Sequence, residues 1–174
     1  MDVKVAKTAG FCFGVKRAVE EVYKVAETTK GTVYTYGPII HNEEVVSDLE
    51  KKGVKVLETE EDLKNLTEGT VIIRSHGVPK YIYELLEERN ISYVDVTCPF
   101  VLKIHRIVEK ESAQGKHIVI VGDPNHPEVV GIKGWCQRKA TIIKTKEDAK
   151  SFLAESGEKL CIVSQTTFNY NNFQ

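Results

Sequence analysis

Residues 71–100 read VIIRSHGVPKYIYELLEERNISYVDVTCPF, and this stretch decides the fold. Val71 to Arg74 opens with branched aliphatics, a short run that suits a strand buried on both faces. The loop Ser75-His76-Gly77-Val78 follows, and Pro79 then supplies the fixed φ and absent N–H that a first helical turn accepts. A helix is predicted over Pro79–Arg89. Ser92 to Val96 returns to strand, Thr97-Cys98-Pro99 repeats the loop, and a second proline-opened helix is predicted over Pro99–Gln114, stopped at Gly115. Strand, loop and helix in alternation give parallel sheets.

The same rhythm extends in both directions. Upstream, a strand is predicted at Val3 to Lys7. Val15, Ala18, Val19, Val22, Val25 and Ala26 then recur at helical spacing over about four turns. A strand at Val33 to Tyr36, a helix from Asn42 to Lys52 closed by Gly53, a strand at Val54 to Val56 and a helix after Thr59 follow, with Thr59 and Asp62 spaced as a capping box. Downstream come a buried strand at Ile118 to Val121, a short helix near Glu128 to Trp135, a strand at Thr141 to Ile143, a helix after Thr145 and a strand at Leu160 to Val163. Nine or so strands in two sets imply two small, mostly parallel α/β sheets flanked by helices, with domains over 1–97 and 98–174. Phe168 to Gln174 begins an element with no length to pack, so the chain reads as cut short.

The 174 residues are 41% hydrophobic and 28% charged, a globular balance that excludes disordered and fibrous classes. Twenty-four basic against 25 acidic residues leave a net charge of -1, so no overall field draws the chain to nucleic acid or an anionic membrane. The longest apolar run, Ile118 to Val121, cannot span a bilayer, and Met1-Asp2 lacks the basic start of a secretory signal. A cytoplasmic protein is expected. The four cysteines, Cys12, Cys98, Cys136 and Cys161, form no C-x-x-C pair, against both a disulfide framework and a zinc ribbon.

Unusual residues collect just after the strands: Gly37-Pro38-Ile39-Ile40-His41-Asn42, Ser75-His76-Gly77-Val78, Thr97-Cys98-Pro99, Gly122-Asp123-Pro124-Asn125-His126-Pro127-Glu128 and Ser164-Gln165-Thr166-Thr167. Ligands bind outside the carboxyl ends of open α/β sheets, so these loops and the Cys12 loop are expected on one rim. Cys98 precedes Pro99 and Cys12 lies between Gly10 and Gly14, placing both thiols at helix N-termini, where a thiolate suits a soft metal or a cluster. The competing reading of either thiol is a small buried hydrophobe, and for Cys136 and Cys161 that reading leads. His41, His76 and His126 offer compact N–H donors for a diphosphate, while His105 and His117 read as structural or solvated. Glu128 is either a proton donor, with Thr166 or Thr167 as relay, or a solvated acid at a helix start. Lys16 and Arg17 read as solvated helix charges.

With these residues assembled, the chain resembles the 4-hydroxy-3-methylbut-2-enyl diphosphate reductases. The resemblance is carried by Ala9-Gly10-Phe11-Cys12-Phe13-Gly14-Val15, the His41 loop, Arg74-Ser75-His76-Gly77-Val78, Asp95-Val96-Thr97-Cys98-Pro99, His126-Pro127-Glu128-Val129 and Gln165-Thr166-Thr167. It implies two of the three α/β domains of a trefoil-like iron-sulfur reductase, the third lying beyond residue 174 with a third cysteine. It implies Cys12 and Cys98 as ligands of a 4Fe-4S cluster, and His41, His76, His126 and Thr167 around an allylic diphosphate. Glu128 would deliver the proton with Thr166 as contact or relay, and ferredoxin or flavodoxin would donate electrons. Two other readings use the same rim: a zinc hydrolase with His41, His76, His126 and Glu128, and a non-catalytic phosphate-binding module.

Overall fold

The computed structural model describes residues 2–173. In chain order the elements are α1 (Phe13–Thr28), β1 (Val33–Tyr36), α2 (Glu43–Lys51), β2 (Lys55–Leu57), α3 (Glu60–Lys64), β3 (Thr70–Ile73), α4 (Lys80–Glu88), β4 (Ser92–Asp95), α5 (Pro99–Ala113), β5 (His117–Val121), α6 (Pro127–Gly134), β6 (Ala140–Ile143), α7 (Lys146–Ser151), β7 (Leu160–Ser164) and α8 (Tyr170–Phe173). Two sheets form, in the order β2-β1-β3-β4 and β6-β5-β7, and every pairing is parallel.

Alternation along β3 explains the first sheet. Ile72 turns to one face and packs with Ala18 and Val22 of α1 and Leu49 of α2, while Val71 and Ile73 turn to the other and pack with Ile82 and Leu86 of α4. Both faces are thereby dry, which is why the central strand is apolar at consecutive positions. Each fully buried aliphatic here contributes roughly 1.5–3 kcal/mol by leaving water. In the second sheet Ile118 and Ile120 pack with Val108 of α5 and Val129 and Ile132 of α6. Its other face is thinner: Ile162 is 58% exposed and lines an open cavity with Val119, Val121 and Ile143.

The local signals act as their chemistry requires. Asn42 caps α2 by accepting from Val45 N–H at 3.0 Å, and Thr59 and Thr145 each close a reciprocal capping box with an aspartate three residues on. Two expectations fail. Val3 to Lys7 pairs with nothing among the described residues and lies exposed, with Val3 at 82% and Val5 at 79%. Alternation marks an extended segment, but a strand also needs a neighbour to satisfy its N–H and C=O groups. Seven strands form among the described residues, against the expected nine or so. We propose 1–97 and 98–174 as the two structural units, since the first sheet ends at Asp95 and α5 packs on the second. No helix among the described residues is long and apolar enough to cross a membrane.

Candidate functional site

Two thiols open the site. Cys12 is the N-cap residue of α1 and Cys98 that of α5, with Pro99 in the first helical turn, so the positive ends of two helices face the two sulfurs. The approach is close: a Cβ added to Gly14 would lie 2.6 Å from Cys98 Sγ, so glycine keeps the first turn of α1 clear of the second thiol. Cys12, Phe13, Cys98, Phe100, Thr166 and Thr167 line one cavity of about 620 Å³. Arg17, expected to be a solvated charge, instead donates from Nη2 to Thr97 O at 2.6 Å, tying α1 to the residue before Cys98. Helical spacing alone could not reveal this, because the partner is 80 residues away.

Cys136 and Cys161 lie apart from this cavity. Both pack beside the core of the second sheet, and burial raises their thiols, Cys136 to about 11. They therefore stay protonated and apolar, as expected. All four cysteines are free.

The imidazoles form a second cluster. His41 follows β1, His76 follows β3 and His126 caps α6, and their ring centroids are 4.8, 5.5 and 6.1 Å apart in pairs. Buried Ser75 holds the first two loops together by donating from Oγ to Ile39 O at 3.2 Å, and Ser75 O accepts from Cys98 N–H at 2.9 Å. Burial and then the neighbouring charges of His41, Arg74 and His126 hold His76 down at about 4, and burial likewise lowers His126. Both are neutral donors near pH 7. The tautomer of His126 is fixed by its cap: Nδ1 accepts the backbone N–H of Glu128 at 3.1 Å, so Nε2 carries the proton of the neutral ring.

Glu128 joins the two clusters. It is 2% exposed, not a solvated acid, and its carboxylate accepts from Thr166 N–H at 2.6 Å and from Thr166 Oγ1 at 2.8 Å. Thr166 also lines the thiol cavity, so the residue that holds the acid borders the sulfurs. Behind it, Gln165 accepts from Asp123 N–H at 3.1 Å and donates to Thr167 Oγ1 at 2.8 Å, fixing the threonine loop against the His126 loop. Gln165 was visible in sequence only as part of a motif; its two-sided role depends on the fold. The expected rim is thus assembled in two parts, thiols with threonines and histidines with the acid, bridged by Thr166. His117 is structural, bonded to Glu158 and Thr141 at 2.8 Å each. His105 is not solvated but buried at 1%.

Fold and site together define a parallel α/β protein with a thiol-lined cavity beside an imidazole cluster. A family model described as LytB protein matches residues 3–174, and the chain belongs to that family. A 4-hydroxy-3-methylbut-2-enyl diphosphate reductase of Caldanaerobacter subterraneus is 52% identical over 168 residues, covering 96% of this chain and 58% of the relative. One of Clostridioides difficile is 43% identical, covering 97% of this chain and 60% of the relative. Among solved structures, the E-1-hydroxy-2-methyl-but-2-enyl-4-diphosphate reductase of Plasmodium falciparum superposes with a TM-score of 0.88 at 29% identity, covering 96% of this chain and 52% of that one. A second, of (E)-4-hydroxy-3-methyl-but-2-enyl diphosphate reductase, described as the terminal enzyme of the non-mevalonate pathway, gives 0.82 at 41% identity over 98% of this chain and 60% of that one. The chain thus spans about 58% of the length of its first curated relative.

These findings do not favour the zinc-hydrolase and plain phosphate-binding readings. The donor atoms of His41, His76 and His126 do lie within 4.8 Å of one another. A metal, however, would need the Nε2 lone pair of His126, and the cap at Nδ1 leaves that nitrogen protonated.

Proposed function

We propose that this chain carries the core of a reductase that removes the hydroxyl of 4-hydroxy-3-methylbut-2-enyl diphosphate, giving isopentenyl and dimethylallyl diphosphate. The observation that carries the reading is Thr166, which borders the two-thiol cavity on one side and holds Glu128 beside the histidines on the other.

The donor set fits a cluster, since two thiols sit at two helix N-termini on one cavity, with glycine where a Cβ would meet Cys98 Sγ. Cys12 and Cys98 would hold a 4Fe-4S cluster, which when bound supplies electrons and a Lewis-acidic iron for loss of the hydroxyl. The net reaction takes two electrons and two protons, breaks a C–O bond, forms a C–H bond and releases water. His41, His76 and His126 bind the diphosphate through N–H donors, and Thr167 adds a hydroxyl. Phe13 and Phe100 offer the hydrocarbon an apolar wall that keeps water from the reacting carbon. Glu128 takes up and delivers the proton, and the Thr166 hydroxyl, which donates to the carboxylate and turns to accept once it is protonated, passes it on. Electrons come from a one-electron carrier such as ferredoxin or flavodoxin, and the reducing cytoplasm suits four free thiols.

Iron, acid-labile sulfide and zinc measured on protein purified without oxygen test the reading, beside Cys12→Ser and Cys98→Ser. Iron and sulfide in near-equal amounts, lost in both variants, support it. Zinc retained in both variants sinks it, and so does absence of iron when the same assay is repeated with the third domain and third cysteine that the resemblance implies supplied.

A further inference from the structure

The two halves of the imidazole cluster come from different sheets: His41 and His76 from loops of the first, His126 from the second. Their separation needs a gauge. One lies just behind the cluster, where α6 meets the loop after His76 almost backbone to backbone. A Cβ on Gly131 would sit 3.5 Å from Gly77 C and from Val78 N, and one on Gly134 would collide with Pro79. Trp135, at the end of α6, donates from Nε1 to Val78 O at 2.9 Å. This hydrogen bond ties the helix that begins at His126 to the loop that carries His76.

His105 of α5 fills the remaining corner. Its ring stacks on Trp135 with centroids 5.2 Å apart and planes 20° from parallel. A Cβ on Gly77 would lie 2.6 Å from His105 Cε1, and one on Gly131 would lie 3.4 Å from Nε2, so the imidazole touches both sides of the junction. Gly77 itself has a φ of +72°, which glycine adopts without strain. Neither ring nitrogen of His105 has a hydrogen-bond partner among the described residues. A residue present only to fill space would avoid that cost by being aliphatic. The slot between an indole face and a glycine turn instead fits a thin planar ring. Lys80 closes the solvent side, paired with Glu109 at 2.6 Å and lying 5.9 Å from the Trp135 ring centroid.

We propose that His105, wedged between Trp135 and the Gly77–Gly131 contact, is a positioning residue that sets the separation of His76 from His126 and so the grip of the site on a diphosphate. The inference rests on the anion-site reading above. It predicts that loosening the wedge weakens anion binding without touching any group that meets the anion.

The test is calorimetric titration of the chain with inorganic diphosphate, at a temperature where each variant is folded. The variants are Trp135→Phe, which removes the bond to Val78, and His105→Leu, which removes the stack. Leu63→Ala in α3 serves as a control for stability alone, and His76→Ala as a control for the anion site. Expected is a five- to tenfold weaker affinity in Trp135→Phe and His105→Leu, with Leu63→Ala at the parent affinity despite a lower Tm. His76 followed by NMR titration should also move up from about 4 in both wedge variants as water enters the junction. Loss of binding in His76→Ala with parent affinity in both wedge variants would overturn the positioning role alone. A parent that binds no diphosphate, or binds it no better than His76→Ala, would overturn the anion-site reading and this inference with it.

Discussion

Replacing Glu128 by glutamine and by alanine separates what its carboxylate holds from what it delivers. The side chain is 2% exposed and accepts two hydrogen bonds from one residue, Thr166 N–H at 2.6 Å and Thr166 Oγ1 at 2.8 Å. Glutamine is nearly isosteric. Its carbonyl oxygen can take the backbone N–H, which has no alternative role, and its amide can donate to Oγ1, whose hydroxyl reverses to accept. Alanine can do neither, and it leaves a buried gap beside Thr166. Each hydrogen bond is worth roughly 0.5–1.5 kcal/mol net, and the buried gap adds to the loss of both, so Glu128→Ala should lose about 3 kcal/mol and Glu128→Gln about 1. Urea unfolding near neutral pH measures both. In the reductase reading proposed above, turnover of the allylic diphosphate, assayed with the third domain that the resemblance implies supplied, should fall by a factor of about 10² or more in both variants, because neither carries an ionisable proton donor. Equal destabilisation of the two variants would refute the hydrogen-bonding account. Wild-type turnover in Glu128→Gln would refute the proton role while leaving the structural one intact.

Three further outcomes follow from individual contacts. Burial holds His105 at about 4 against an ordinary 6.5, so the unfolded chain takes up a proton that the folded chain refuses, and stability falls as pH drops from about 6.5 toward 4. Between about pH 7.5 and 5 this should cost on the order of 2 kcal/mol by urea unfolding, and His76, held equally low, adds a similar loss, so His105→Leu should shrink the total by about half; an unchanged slope would show that the ring is not buried neutral. The acids held low by their partners, among them Asp62, Asp123 and Asp148, lose their contribution only below this window, as pH falls through about 4. Gly14→Ala should push against Cys98 Sγ and reduce bound iron and sulfide more than it reduces Tm, and full iron content would mean the thiol moves freely aside. Gln165→Ala removes the brace between Asp123 and Thr167, and in the anion-site reading should weaken binding of inorganic diphosphate; unchanged binding would leave Gln165 as a loop brace only.

Much of this was legible in residues 71–100, because a buried parallel strand and a proline-opened helix leave local signatures. The position of Cys98 at a helix N-terminus follows from the proline after it, and Asn42 and Thr59 announce their own caps. What failed to show in sequence depends on partners far along the chain. Val3 and Val5 alternate as a strand should, but whether a strand pairs is decided by its neighbours. Arg17 lies on a helix at a spacing that suits solvent, yet it reaches Thr97. His105 looked like any polar helix residue until Gly77, Gly131 and Trp135 closed around it. The separation of the rim into thiol and imidazole halves was equally hidden, since it depends on how two sheets meet.

The choice of histidine over lysine or arginine has a physical reason that also constrains how the site works. Three permanent cations about 5 Å apart would repel by roughly 3 kcal/mol per pair at an effective dielectric near 20, and an empty site would have to be held together against that force. Imidazoles carry no permanent charge and so remove the repulsion. They still offer N–H donors, and the cap on Nδ1 of His126 ensures that its outward nitrogen is the one that donates. In the anion-site reading, a diphosphate brings the negative charge, so its arrival favours protonation of His76 and His126, which burial first and neighbouring charge second hold low. Binding should therefore take up protons and tighten as pH falls toward 6, until acid begins to unfold the chain through His105.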